Sequence, residues 1–224
     1  MIQKFQAIIF IGPQGSGKGT QAQLLIPKIG AQYIEMGYLL RQAAQERTPF
    51  GEAVKKMVNA GELVPDDILI KVIDAHLLLL RPDAPVIFDG VPRQIRQAEF
   101  LIEDLKRGGR KKIATFCIKI PREMSIQRIL ARVSCRNCKF PKSYSGGDPA
   151  ECARCGGVMA RRIDDTDEKA VQRRLDNYEK ETLPVIDYLE RETSLFRIDG
   201  TPSVSEVEKQ IDKCLEIENE TAAV

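Results

Sequence analysis

The sequence has no tryptophan, a single histidine, and no marked excess of charge of either sign. Its 34 basic and 32 acidic residues leave a net charge of +2, which argues against a general nucleic-acid-binding surface. No apolar stretch approaches the roughly twenty residues that span a bilayer, since the leucine run 77–80 stops at Arg81 and Pro82. The histidine, His76, has no nucleophile motif nearby, which disfavours a serine or cysteine hydrolase. We therefore expect a small anion as the partner, and neither nucleic acid nor a membrane.

The length and the apolar content set the size of the fold. With 224 residues, 43% of them hydrophobic, the chain can bury a core and suits one domain with inserted lobes or two small domains. Near the start, a short apolar run ends in a glycine-rich loop rather than in a small-residue cleavage site. That run predicts the first core strand and not an export signal, so we expect a soluble, cytoplasmic protein.

A phosphate-binding loop is the strongest motif. The apolar run Ile8 to Ile11 is followed by GPQGSGKGTQ, in which glycines allow successive backbone amides to line a concave anion site. The following helix adds its positive end, and Lys18 adds a full charge. A glycine-rich turn without a ligand is the alternative, but GxxxxGK after a strand specifies the lysine as well. The predicted phosphate-binding residues are Gly15, Ser16, Gly17, Lys18, Gly19 and Thr20.

Two CxxC pairs form the second strong signal. Cys135 and Cys138 are separated by thirteen residues from Cys152 and Cys155, a spacing that can place four thiolates tetrahedrally around Zn²⁺. Such a site leaves no position for water, so the zinc would be structural. Disulfides are the alternative, and a zinc ribbon can also bind nucleic acid, although this one has few aromatic residues for base stacking. We expect the two remaining cysteines, 117 and 214, to be small core residues.

Alternation of strands and helices predicts the fold class, an α/β doubly wound parallel sheet of five strands with two inserted lobes. The predicted core comprises residues 1–34, 65–132 and 163–224, the first lobe residues 35–64, and the zinc lid residues 133–162. A helix predicted over 125–133 would put Arg128 and Arg132 on one face. Residues Asp89, Gly90 and Arg93 follow a core strand, so we expect them beside the phosphate loop at the carboxyl edge of the sheet.

The motif order resembles that of one family. GPQGSGKGTQ, GELVPDD, DGVPRQIRQ, RILAR, the four cysteines, RRIDD and IDGT follow one another as in nucleoside monophosphate kinases, and above all in adenylate kinases with a long, zinc-containing lid. The resemblance covers nearly the whole chain. It implies a P-loop fold and a reversible, Mg²⁺-dependent transfer of a phosphoryl group from ATP to AMP, giving two ADP, in an enzyme expected to be a monomer.

The resemblance also implies the site residues. Lys18, Arg93, Arg132, Arg162 and Arg174 would be catalytic, with Arg173 as the alternative to Arg174 because the spacing there is one residue longer than usual. The phosphate loop and Arg128 would bind ATP, and Asp89 would hold Mg²⁺ through water, with Thr20 nearby. The residues implied for AMP are Gly37, Arg41, Val64, Gly90, Arg93 and Gln97.

One segment departs from the family pattern. Adenylate kinases usually have a sequence like STGDLLR in the acceptor lobe, whereas this chain has EMGYLLR, with Met36 in place of the hydroxyl and Tyr38 in place of the acid. The acceptor base is therefore left open, and a kinase of UMP, CMP or GMP is an alternative. Two further alternatives are a non-catalytic nucleotide-binding protein and a zinc-ribbon nucleic-acid-binding protein.

Overall fold

A computed structural model describes residues 5–137, 141–143, 151–152, 155–161 and 165–216, with the backbone alone for 141–143. Two residues of the predicted sites, Cys138 and Arg162, lie outside the described residues. The strands are β1 (Ala7–Ile11), β2 (Gln32–Glu35), β3 (Val86–Asp89), β4 (Ile113–Lys119), β5 (Arg132–Cys135), β6 (Pro141–Ser143), β7 (Met159–Arg161) and β8 (Ser194–Asp199). The helices are α1 (Lys18–Ile29), α2 (Met36–Ala43), α3 (Pro49–Ala60), α4 (Asp66–Leu77), α5 (Ile95–Arg107), α6 (Arg122–Leu130), α7 (Glu168–Asn177), α8 (Leu183–Glu192) and α9 (Val204–Leu215).

A five-stranded sheet forms the centre of the molecule. Its order is β2-β3-β1-β4-β8, and every neighbouring pair is parallel. Strand β1 is buried along its whole length, as its continuous apolar sequence predicts for a strand covered on both faces. The predicted α/β fold with a five-stranded parallel sheet is confirmed.

Alternate residues of β1 enter two separate cores. Ile9 and Ile11 pack in a cluster with residues of α4, α5 and α8, whereas Ile8 and Phe10 pack in a second cluster with residues of α1 and α9. This division follows from the alternation of side chains along a strand. Helices cover both faces of the sheet, so the carboxyl ends of its strands are left as the place where a ligand can enter. Cys117 is buried in the first cluster and Cys214 packs against the second.

The prediction of a helix over 125–133 is wrong beyond Leu130. Helix α6 ends there, and Arg132 begins β5, the middle strand of a three-stranded antiparallel sheet of order β6-β5-β7. Val133 and Cys135 enter a small cluster with Met159, and this burial is available only in the strand. Because Arg132 lies on a strand and Arg128 on a helix, the two do not share a helix face.

A π-helical turn joins two helices just before Pro184. Helix α7 continues into this turn, Tyr178–Thr182, and α8 begins at Leu183 with Pro184 in its first turn. A proline is tolerated there because the first amides of a helix have no intrahelical partner. Among the described residues, no helix combines the length and the apolar character needed to cross a membrane.

Candidate active site

A cleft of about 620 Å³ lies at the carboxyl ends of the central strands. It is lined from one side by the phosphate loop and the start of α1, and from the other by α2 and the loop that precedes α4. All the described residues that the sequence predicts for the nucleotide site line this one cleft: Gly15, Ser16, Gly17, Lys18, Gly19, Thr20, Gly37, Arg41, Val64, Asp89, Gly90, Arg93, Gln97, Arg128, Arg132 and Arg174.

The loop between β1 and α1 requires glycine at two crowded points. A Cβ atom at Gly12 would lie 2.3 Å from the carbonyl oxygen of Ile118, and one at Gly15 would lie 2.9 Å from that of Ser125. Both glycines also have positive φ angles, of 150° and 81°. Helix α1 follows with Gly17 at its N-cap, which has no side chain to satisfy the first amides of the helix. Those amides line the cleft and suit an anion.

Lys18 is held against this loop. Its Nζ donates hydrogen bonds to the carbonyl oxygens of Gly12, at 2.8 Å, and Pro13, at 2.7 Å. The pKa of Lys18 is lowered to about 8, chiefly by burial. The carboxylate of Asp89 raises this pKa, whereas the charges of three arginines contribute to lowering it: Arg93, Arg132 and Arg174. Positive charge is therefore crowded around Lys18.

A second group of side chains lies on the α2 side of the cleft. Nη2 of Arg41 donates to Oε1 of Glu35 at 2.8 Å, and Nε of Arg93 donates to the carbonyl oxygen of Gly90 at 3.0 Å. Gln97 is 1% exposed. Its Oε1 accepts from the backbone N–H of Arg93 at 2.8 Å, and its Nε2 donates to Asp66 at 2.7 Å. The amide of Gln97 is thus fixed in orientation by the loop after β3 and by α4.

A buried carboxylate joins two of the predicted arginines. Asp165 is 4% exposed. It accepts hydrogen bonds from Nε and Nη2 of Arg132, at 2.8 and 2.7 Å, and from both Nη atoms of Arg174, at 3.1 and 3.0 Å. Asp165 was not among the residues predicted from the sequence. The acidic pair in RRIDD, which lies between predicted arginines, could have indicated it, because arginines that lie close together need an anion between them.

The structure distinguishes the two neighbouring arginines of α7. Arg174 is 8% exposed and lines the cleft. Arg173 is not among the lining residues; it donates to the backbone carbonyl oxygen of Ala60 at 2.7 Å and pairs with Glu62 at 3.5 Å. Neighbours on a helix are about 100° apart, so only one of them can face the cleft. That residue is Arg174.

Two further contacts complete the cleft. Nη1 and Nη2 of Arg128 donate to the carbonyl oxygens of Gly200 and Thr201, at 2.8 and 3.2 Å, in the loop between β8 and α9. The hydroxyl of Tyr33 donates to Oδ2 of Asp89 at 3.1 Å. Tyr33 was also not predicted from the sequence, because a tyrosine in a predicted strand is usually a core residue. Here its hydroxyl orients the carboxylate of Asp89, which lies beside Gly19 in the first turn of α1.

Three of the four paired cysteines lie together outside the cleft. The Sγ atoms of Cys135, Cys152 and Cys155 are all within 4.8 Å of one another, and those of Cys135 and Cys155 are 3.5 Å apart. Sulfur ligands at about 2.3 Å from a tetrahedral zinc ion are about 3.8 Å from one another. The cluster is therefore compatible with a zinc site.

Comparison with known proteins identifies the family. A family model described as adenylate kinase matches residues 10–194. The chain is 37% identical over 212 residues to an adenylate kinase of Archaeoglobus fulgidus. The aligned residues cover 93% of this chain and 97% of the relative. The chain belongs to the adenylate kinase family. An adenylate kinase of Dehalococcoides mccartyi is 37% identical over 206 residues, which cover 91% of this chain and 95% of the relative. An adenylate kinase of Syntrophomonas wolfei is 34% identical over 212 residues, which cover 93% of this chain and 98% of the relative.

Membership confirms the enzyme class expected from the motifs. The chain is a phosphotransferase of the nucleoside monophosphate kinase type, with the function of an adenylate kinase. The two unusual positions of the adenylate kinase acceptor segment differ in their surroundings. Met36 is 1% exposed and lines the cleft, whereas the hydroxyl of Tyr38 accepts a hydrogen bond from Nε2 of Gln42, its neighbour on α2. Of these two residues, Met36 lines the cleft and Tyr38 does not.

Proposed function

We propose that this cleft transfers the γ-phosphoryl group of ATP to AMP, reversibly, to give two ADP. The observation that supports this most is the convergence of six cationic side chains in one cleft of a nearly neutral protein: Lys18, Arg41, Arg93, Arg128, Arg132 and Arg174. Two nucleotides bring many phosphate oxygens together, and such crowding needs this much compensating charge.

The phosphate loop and Arg128 form the donor side. The first amides of α1 and the ammonium group of Lys18 would hold the phosphates of ATP, in place of the carbonyl contacts that Lys18 makes here. Arg128 is anchored to the loop 200–201, next to Val204 in the lining. These contacts support a position of the donor base between α6 and the start of α9.

The α2 side of the cleft forms the acceptor side. Arg41 and Arg93 would hold the acceptor phosphate, with Gly37, Gly90 and Val64 shaping the surface around it. Gln97 would read the base. Its Oε1 accepts one hydrogen bond within the protein and has a second lone pair, which suits the exocyclic amino group of adenine.

The remaining arginines would act on the phosphoryl group in transfer. The attacking phosphate of AMP is already anionic, so the reaction needs alignment and charge neutralisation rather than a strong base. We assign this role to Lys18, Arg93, Arg132 and Arg174 within the described cleft, and to Arg162, which lies outside the described residues. Planar guanidinium groups suit the task because they remain charged and grip two oxygens at once. Closure of the lid would exclude water, the competing acceptor.

The residues present fit a magnesium ion bound together with ATP. Asp89 is a carboxylate only 8% exposed at the edge of the cleft, and Thr20 adds a hydroxyl group on the first turn of α1. Oxygen groups of this kind suit Mg²⁺, which retains much of its water. When bound, the ion neutralises phosphate charge. Asp89 would then hold it through water, with its own orientation set by Tyr33.

We also propose a structural zinc ion bound by four thiolates. Cys135, Cys152 and Cys155 supply three of them at suitable separations, and Cys138, outside the described residues, would supply the fourth. Cys135 and Cys152 themselves belong to a cluster of only four buried residues among those described, so the metal would replace a larger hydrophobic core. Residues 35–64 would then form the acceptor lobe and residues 133–162 the lid on a core of 1–34, 65–132 and 163–224. A monomer located in the cytoplasm, without nucleic-acid partners, remains our prediction.

The test of this function is a panel of acceptors. Purified protein with ATP and Mg²⁺ should form ADP with AMP at a higher kcat/KM than with UMP, CMP or GMP. Preference for a different monophosphate would overturn the adenylate assignment while leaving the phosphoryl-transfer chemistry in place. Nucleotide binding without any ADP formation would overturn both.

A further inference from the structure

Glu35 is a carboxylate of the cleft lining that directly contacts a predicted acceptor arginine. It is the last residue of β2, and its Oε1 accepts a hydrogen bond from Nη2 of Arg41 at 2.8 Å. The side chains are 17% and 27% exposed, so the pair is largely withdrawn from solvent on the wall of the cleft. A pair in this position is screened less than one on an open surface.

The local backbone favours this contact. Glu35 is at the N-cap of α2, yet its side chain makes no capping hydrogen bond and instead reaches Arg41, six residues later. A Cβ atom at Gly37 would lie 3.0 Å from Nη1 of Arg41. The guanidinium group therefore lies close against the first turn of α2, where a larger residue than Gly37 would crowd it. The pair is built into the fold of the acceptor side.

The pair also lies beside the phosphate machinery. In the register of the parallel sheet, Glu35 is opposite Asp89, so two acidic residues leave neighbouring strands at the same edge. Asp89 is engaged by Tyr33, whereas Glu35 is engaged by the arginine. A phosphate that approaches Arg41 thus meets a carboxylate already bound to that arginine.

We propose that Glu35 is an internal counter-ion of Arg41, which the phosphate of the acceptor must displace and which thereby sets the affinity for the acceptor. The proposal rests on the role of Arg41 proposed above. Carboxylate and phosphate compete for the same guanidinium N–H groups, and like charges that share one site repel each other. Glu35 consequently weakens binding of the acceptor without entering the transfer step, so it is a positioning residue.

The experiment compares Glu35→Gln with the parent protein. The glutamine keeps the size and hydrogen-bonding capacity of the side chain but removes its charge. We expect the Kd of AMP, measured by calorimetry without ATP, to fall about tenfold, as for the loss of one interaction with a charged group. The KM for AMP should fall in parallel, while kcat stays within about twofold, because AMP is bound more tightly by the same amount in the ground state and in the transition state. An unchanged or weaker affinity for AMP would overturn the proposal, and a weaker one would mean that Glu35 holds Arg41 ready for the phosphate.

Two controls separate this mechanism from a general effect of charge. Glu52→Gln makes the same change of net charge on α3, where Glu52 is exposed and pairs only loosely with Lys55 at 3.8 Å. This variant should bind AMP as the parent does. In an Arg41→Gln background, the gain from Glu35→Gln should vanish, and a gain that persists there would show that Glu35 does not act through Arg41. Melting temperatures establish that each variant is folded. Absence of ADP formation by the parent would count against the proposed function, whereas the calorimetric comparison tests Glu35 independently.

Discussion

The ammonium group of Lys18 donates hydrogen bonds to two carbonyl oxygens of its own loop. A phosphate in the loop would take the place of these carbonyl oxygens as the partner of the ammonium group. The positive surroundings of Lys18 also favour an anion in the loop. The role of this residue can be tested by deleting its charge and by titrating it.

Lys18→Ala should remove most of the activity and leave the fold nearly intact. Loss of one preorganised charge at a reacting phosphate costs on the order of 3 kcal/mol in the transition state, or a factor of about 100 in kcat. The measurement is steady-state ADP formation together with a thermal melt, and Lys71→Ala, an exposed lysine of α4, is the matched control. Activity within a few-fold of the parent would show that the loop has a different role.

Titration of Lys18 should couple nucleotide binding to proton uptake. Its pKa is lowered to about 8 by burial, and a bound phosphate favours the protonated form and raises that pKa. Above pH 8 the unliganded protein therefore holds a neutral lysine, and the affinity for ADP should fall by up to about tenfold per pH unit. Calorimetry with metal-free ADP at pH 8.5, in buffers of different ionisation enthalpy, should detect uptake of about half a proton or more. Lys18→Ala should show none, and the same uptake in that variant would contradict the assignment.

Asp165 should contribute both to stability and to turnover. Asp165→Asn keeps the shape but leaves the guanidinium groups of Arg132 and Arg174 without their shared anion. Breaking a buried pair of this kind costs about 3 kcal/mol, which should appear in denaturant unfolding, and kcat should fall because both arginines lose their position. Asp67→Asn, which removes an exposed pair with Arg96, should change neither quantity appreciably. Equal stability of the two variants would contradict this account.

At the scale of whole elements, contiguous motifs could be predicted from the sequence and tertiary contacts could not. The strand, loop and helix around Lys18 follow from one short segment, and the residues of its loop line the cleft. Strand β5 was mistaken for the end of a helix because four residues carry little periodicity, and its partners β6 and β7 follow only later in the chain. Dependence on residues elsewhere in the chain also explains why Glu35, Tyr33 and Asp165 were not predicted as site residues. Each acquires its role from a partner in another element or turn.

The small antiparallel sheet should depend on its metal. Cys152→Ser should abolish binding of one zinc ion per chain and lower the melting temperature, because the described residues around β5 bury too little apolar surface to hold this segment alone. The matched control is Cys214→Ser on α9, which should retain the zinc. Metal analysis and thermal melts test both variants. A parent protein without zinc, or with Cys135 and Cys155 joined in a disulfide, would contradict the prediction.

At the scale of the whole molecule, the parallel sheet explains where the positive charge collects. The chain as a whole carries a net charge of only +2. Strands β1, β2 and β3 nevertheless end side by side, so the phosphate loop, α2 and the DGVPR segment all start from one edge. Arginines of α6, β5 and α7 line the same cleft. The cleft is therefore a local cationic site in a nearly neutral protein, which favours small phosphate compounds over polyanions.

The most direct test of the central claim follows the phosphoryl group itself. The protein is incubated with Mg²⁺, ATP labelled in the γ-phosphate, and unlabelled AMP, and the products are separated. We expect two ADP for each ATP consumed, with the label in the β-phosphate of the ADP formed from AMP and almost none in inorganic phosphate. Release of the label as inorganic phosphate, or an absence of turnover, would contradict it.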